Sequence, residues 1–110
     1  MTVYHIVQFQ FKALVPPDED KAACQRVLDL ETNCLHPASQ KPYVKVLGGG
    51  KDNSLEGQQH GMTHAFILQF ENEDDRRYHV EKDPAQLEFA ASIRDILEEV
   101  QVIDFTPGVF

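Results

Sequence analysis

Thr63-His64-Ala65-Phe66-Ile67-Leu68-Gln69-Phe70-Glu71 alternates without a break. It places His64, Phe66, Leu68 and Phe70 on one face and Thr63, Ala65, Ile67 and Gln69 on the other. A repeat of two is the side-chain period of a β-strand. Both rows are substantially apolar, so whichever row faces away from the core presents a surface that needs cover.

Toward the N-terminus, Val3 to Lys12 alternates in the same way, with Val3, His5, Val7, Phe9 and Phe11 opposite Tyr4, Ile6, Gln8, Gln10 and Lys12. Pro16-Pro17-Asp18 then supplies a fixed φ and a helix start, and Asp18, Glu19 and Asp20 fall at the positive end of the helix dipole. Ala23, Val27, Leu30 and Cys34 recur at helical spacing, which predicts a helix as far as Leu35, closed by Pro37. Tyr43 to Leu47 reads as a second strand that stops at Gly48-Gly49-Gly50, and Lys51 to Gly61 reads as a polar, glycine-bearing loop. No Lys-Ser/Thr pair follows the three glycines, so they lack the makings of a phosphate cradle.

Toward the C-terminus, Asn72 to Asp75 offers a cap and negative charge for a helix through about Val80. Pro84 restarts a helix at Asp83, with Leu87, Phe89, Ala90, Ile93, Ile96 and Leu97 as its apolar face. Val100 to Phe105 is the closing strand, ended by Pro107-Gly108. The order β-α-β-β-α(split)-β predicts an α+β, ferredoxin-like antiparallel sheet with its helices on one face. The free face then calls for a second copy, so a homodimer with two sheets closing round a shared interior is expected.

At 110 residues the chain fits a single domain over 1–110. Ten Lys and Arg against eighteen Asp and Glu leave a net charge of −8, which argues against nucleic acid and anionic membrane as partners. No apolar run approaches the roughly 20 residues that cross a bilayer. The N-terminus lacks the basic and apolar regions of a signal peptide, so a cytoplasmic location is expected. Two cysteines cannot staple a fold of this size. Cys24 and Cys34 on one helix would lie roughly 15 Å apart, beyond disulfide reach, and read as buried thiols.

His5 and His64 interrupt apolar strand rows. Either they are core histidines with satisfied nitrogens, or they line a pocket; an unpartnered buried polar group costs roughly a few kcal/mol. Tyr78, His79 and Asp104 could join such a pocket. No His-x-x-His, His-Glu-x-x-His or Cys-x-x-Cys spacing occurs, so no metal is expected. A nucleophile elbow, a Walker loop and a dinucleotide fingerprint are also missing.

Tyr4-His5-Ile6-Val7-Gln8-Phe9-Gln10-Phe11-Lys12, Thr63-His64 with Phe70-Glu71, Tyr78 through Asp83-Pro84-Ala85 to Phe89, and Ile103-Asp104-Phe105-Thr106-Pro107 together resemble the stress-responsive dimeric α/β barrel (Dabb) family. The resemblance implies dimeric ferredoxin-like subunits. It implies functions ranging from stress-induced proteins of unsettled role to cofactor-free polyketide cyclases of the olivetolic acid cyclase type. Transferred residue by residue, it makes His5, His64, Tyr78 and Asp104 the catalytic candidates. Val7, Phe9, Phe66, Leu68, His79, Gln86 and Phe89 become the pocket lining, around a small hydrophobic ligand and with no cofactor. Cyclases carry their base histidine in Pro-Ala-His, whereas this chain reads Pro84-Ala85-Gln86. Glutamine accepts no proton near neutral pH, which leaves His5 and His79 as imidazoles for that task. The resulting expectation is a proton-transfer enzyme for a carbonyl or polyketide-like compound. The alternatives are a non-catalytic ligand-binding protein and an oxygenase, cofactor-free or haem-linked, on the same fold.

Overall fold

A computed structural model describes residues 1–110. Its elements run β1 (Val3–Phe11), α1 (Pro17–Asn33), β2 (Lys45–Lys51), β3 (His64–Phe70), α2 (Glu73–Glu81), α3 (Pro84–Ile93), a 3₁₀ turn (Arg94–Ile96) and β4 (Leu97–Phe105). The strands form one antiparallel sheet in the order β2-β3-β1-β4, the ferredoxin-like arrangement expected from the sequence.

Local chemistry fixes the ends. Pro17 opens α1 beside Asp18, Glu19 and Asp20. The Asp75 N–H donates to the Asn72 side chain over 2.7 Å at the start of α2, and the Ala85 N–H donates to Asp83 over 3.0 Å at the start of α3. One side of the sheet carries Val3, His5, Phe9 and Phe11 of β1 with Phe66, Leu68 and Phe70 of β3, all buried beneath the helices. Ala23, Val27 and Leu30 of α1, with Phe89 and Ile93 of α3, close this core. The opposite face presents Tyr4, Ile6, Ile67, Ile103 and Phe105, and the last three are about 40–51% exposed. No helix is long and apolar enough to cross a membrane.

Three boundaries differ from the sequence expectation. α1 ends at Asn33, and Cys34 takes an extended conformation while its N–H still bonds Leu30. β4 begins at Leu97, because the final helical turn tightens to 3₁₀ after Ile93. The glycine run is strand, not loop. Gly48, Gly49 and Gly50 pair with Ile67, Phe66 and Ala65, and a β-carbon on Gly49 would overlap the Phe66 ring. The ring fills the space a side chain would need, so a strand position that reads as flexible is a packing requirement.

Gly49→Ala should therefore lower stability by about 1–3 kcal/mol. Gly50→Ala, whose added carbon meets nothing within 4 Å, should change it little. Equal melting temperatures for the two variants would contradict this account.

Candidate active site

The helical layer is uneven. It covers β3 and β1, while the inner-face side chains of β4, Val100 and Val102, stay about half exposed. A cavity of about 880 Å³ opens there between sheet and helices, within one subunit. Its apolar floor and walls come from Val7, Phe9, Leu68, Phe89, Ile93 and Val102, and exposed Arg77, Glu81, Arg94, Glu98 and Glu99 add charge to the lining. An interior shared by two sheets, as expected from the sequence, would lie on the other side of the sheet.

His5 and Asp104 face each other across the β1–β4 ladder. The His5 Nδ1–H donates to Asp104 Oδ1 over 2.6 Å, and Arg76 donates to Oδ2 over 2.8 Å. A carboxylate only accepts, so in the neutral form of the imidazole the proton sits on Nδ1 and the lone pair on Nε2. Nε2 makes no hydrogen bond to the protein.

His79 lies behind this pair with its ring 6.0 Å from that of His5 and its residue surface 1% exposed. Burial, reinforced by the His5 ring, pushes its pKa down to about 4, so it is neutral at pH 7. Neither of its ring nitrogens has a hydrogen-bond partner, and the buried Oε1 of Gln86 also lacks one.

The sequence-derived candidates separate accordingly. His5, Asp104, Val7, Phe9, Leu68, His79, Gln86 and Phe89 line the cavity; His64, Tyr78 and Phe66 do not. His64 is on the correct face at the wrong end. It pairs with Phe9, four positions along β1 from His5, or about 13 Å at the rise of a strand. There it rests edge-on against Phe11 at 4.9 Å, bonds the Thr63 hydroxyl, and lines a separate polar pocket with Lys51 and His60. Tyr78 points away from the cavity and packs on Tyr43 at 5.8 Å. α2 starts at its Asn72 cap, and from that start it turns His79 inward. Phe66 is spent on the core beneath Gly49.

A further group was not visible as a local motif. Cys34, His79 and Asp83 are all buried, and one ligand atom of each lies within 4.8 Å of the others. The Tyr43 hydroxyl donates to Asp83 Oδ2. Burial, then the charge of Asp83, pushes the Cys34 thiol up to about 12. Burial and the bond to Asp83 raise the Tyr43 phenol. The only sequence signal was His79 and Asp83 at a spacing of four.

Residues 3–107 match the model of the stress responsive A/B barrel domain. The chain is 30% identical over 105 residues to the stress-response A/B barrel domain-containing protein HS1 of Arabidopsis thaliana, covering 96% of this chain and 89% of that protein. Among solved structures, an Arabidopsis thaliana protein superposes with a TM-score of 0.80 at 29% identity, covering 98% of this chain and 97% of the other. A hydroxynitrile lyase from Passiflora edulis superposes with a TM-score of 0.78 at 20% identity, covering 99% and 96%, a likeness of fold. With nearly its whole length matched and the sheet order to go with it, the chain belongs to the stress-responsive A/B barrel domain family.

Proposed function

We propose that the cavity binds a small hydrophobic carbonyl or polyketide-like compound and that His5 moves a proton on it, in a cyclisation or an isomerisation. The observation that carries this reading is the 2.6 Å bond from His5 Nδ1 to Asp104 at the wall of an apolar cavity. With Nδ1 occupied, Nε2 is the free base. It takes a proton from carbon next to the substrate carbonyl; the C–H pair moves to form an enolate and the proton becomes the second N–H of the imidazolium. Asp104 stabilises that cation, and Arg76 fixes the carboxylate's second oxygen. Return of the proton to carbon or oxygen completes an isomerisation or follows ring closure. The apolar walls hold the carbon skeleton and exclude water. Gln86 Oε1, with no partner in the protein, accepts from a substrate hydroxyl.

Gln86 also favours a second reading, a ligand-binding protein without turnover, since it stands where the cyclases carry their base. The Passiflora edulis neighbour is named for lyase chemistry, which supports the fold as a host for enzymes and leaves the reaction to this chain's own residues.

We further propose that two copies pair through the free sheet face. Tyr4, Ile6, Ile67, Ile103 and Phe105 form an apolar patch there, and neighbours of the same fold, such as one from Thermobifida fusca with a TM-score of 0.69 at 22% identity, are described as dimeric. The helix-side cavity stays outside that contact, so each subunit keeps a complete site.

Deuterium exchange at the central carbon of an aryl β-diketone in D2O, followed by NMR, tests the chemistry. The protein should accelerate exchange, and His5→Gln or Asp104→Asn should each reduce it by about 10²–10³-fold with the fold intact. Binding of the diketone with no acceleration over buffer would select the non-catalytic reading; Gln86→His would then be the arm in which exchange appears. Sedimentation at micromolar concentration should give twice the 12.5 kDa chain mass, and Ile67→Lys should give the monomer. A monomeric wild-type protein would remove the dimer.

A further inference from the structure

Beside the cavity, His79 has an unusual environment. It is 1% exposed, yet both ring nitrogens are unpartnered, although leaving a buried polar atom without a partner is costly. Asp83 is 1% exposed and pairs with no lysine or arginine. The Tyr43 hydroxyl, the Ala85 N–H and the amino end of α3 offset part of its charge. Cys34 is fully buried at the end of α1. Two stretches distant in sequence, the end of α1 and the junction of α2 with α3, thus bring a thiol, an imidazole and a carboxylate within 4.8 Å of one another. An orphaned imidazole and a buried carboxylate without a cationic partner are independent observations, and one cation would answer both.

We propose that Cys34, His79 and Asp83 bind a single divalent cation of the zinc type. The donor set selects the ion. Calcium and magnesium require oxygen shells, whereas thiolate, imidazole and carboxylate together suit zinc and its close neighbours. The charges fit as well, because thiolate and carboxylate together neutralise a divalent ion in a region that would otherwise disfavour either anion. Helix ends already hold two of the ligands, Cys34 at the close of α1 and Asp83 at the start of α3. Asp83 is fixed by its bonds to Tyr43 and Ala85, as the outer partners of metal ligands commonly fix them. His79 and Asp83 approach from the end of α2, and Cys34 from the end of α1. His79 is also part of the cavity wall, so an ion reaches the cluster from that side and, once bound, locks the ring that stands beside His5. The site is separate from the His5–Asp104 pair and does not depend on any reaction there.

The test uses the untagged, metal-stripped whole chain titrated with Co²⁺ and then Zn²⁺. One equivalent of Co²⁺ should produce the visible bands of a tetrahedral ion with a near-ultraviolet thiolate charge-transfer band. Zn²⁺ should displace it and raise the melting temperature. Cys34→Ser should abolish the charge-transfer band, His79→Gln should weaken Co²⁺ binding by about tenfold or more, and Cys24→Ser should leave the spectrum unchanged. X-ray absorption of the zinc-loaded wild-type protein, which needs no variant to fold, should show one sulfur in the first shell. Absence of cobalt absorption in the folded wild-type chain overturns the proposal. So does a spectrum that survives Cys34→Ser, or a zinc shell without sulfur.

Discussion

The antiparallel pairing of β1 with β4 is the constraint from which the site follows. That register sets His5 opposite Asp104 and Val7 opposite Val102 on the helix side of the sheet. Because the helices stop short of β4, the same pairing that buries His5 leaves room above Val102. A tenth strand residue or a slip by one would turn Asp104 to the other face, since side chains alternate at every step. The bonded carboxylate and the cavity therefore come from one feature of the sheet.

Two kinds of polar burial are thereby placed side by side. His5 is satisfied on one nitrogen by Asp104, and Arg76 closes the chain of hydrogen bonds. His79, 6.0 Å away, is satisfied on neither nitrogen. A satisfied imidazole with one free lone pair fits proton transfer, while an orphaned, neutral one beside a thiol and a carboxylate fits coordination. The different surroundings of two nearby histidines are what the two proposed roles rest on.

Much of the fold was legible because alternation and capping are local. β1 and β3 showed their period directly, and Asn72, Asp83 and Pro84 marked helix starts where the structure has them. The glycine strand was illegible because its packing partner, the Phe66 ring, comes from another strand. The site was legible only in part. His64 shares a face with His5, but only the pairing of β1 with β3 reveals that it lies four residues off. Tyr78 and His79 differ by one position, and a step of about 100° along a helix decides which enters the cavity. The Cys34 cluster spans 45 residues between Cys34 and His79, so no spacing motif could have announced it.

The proposed proton transfer rests on Asp104 fixing the His5 tautomer that leaves the lone pair on Nε2. Two-bond ¹⁵N–¹H correlation spectra of the imidazole rings, recorded on uniformly ¹⁵N-labelled protein at alkaline pH, read that tautomer. His5 should be the Nδ1–H tautomer in the wild-type protein and should lose it in Asp104→Ala. A His5 ring found as the Nε2–H tautomer, or unchanged when Asp104 is removed, would contradict it.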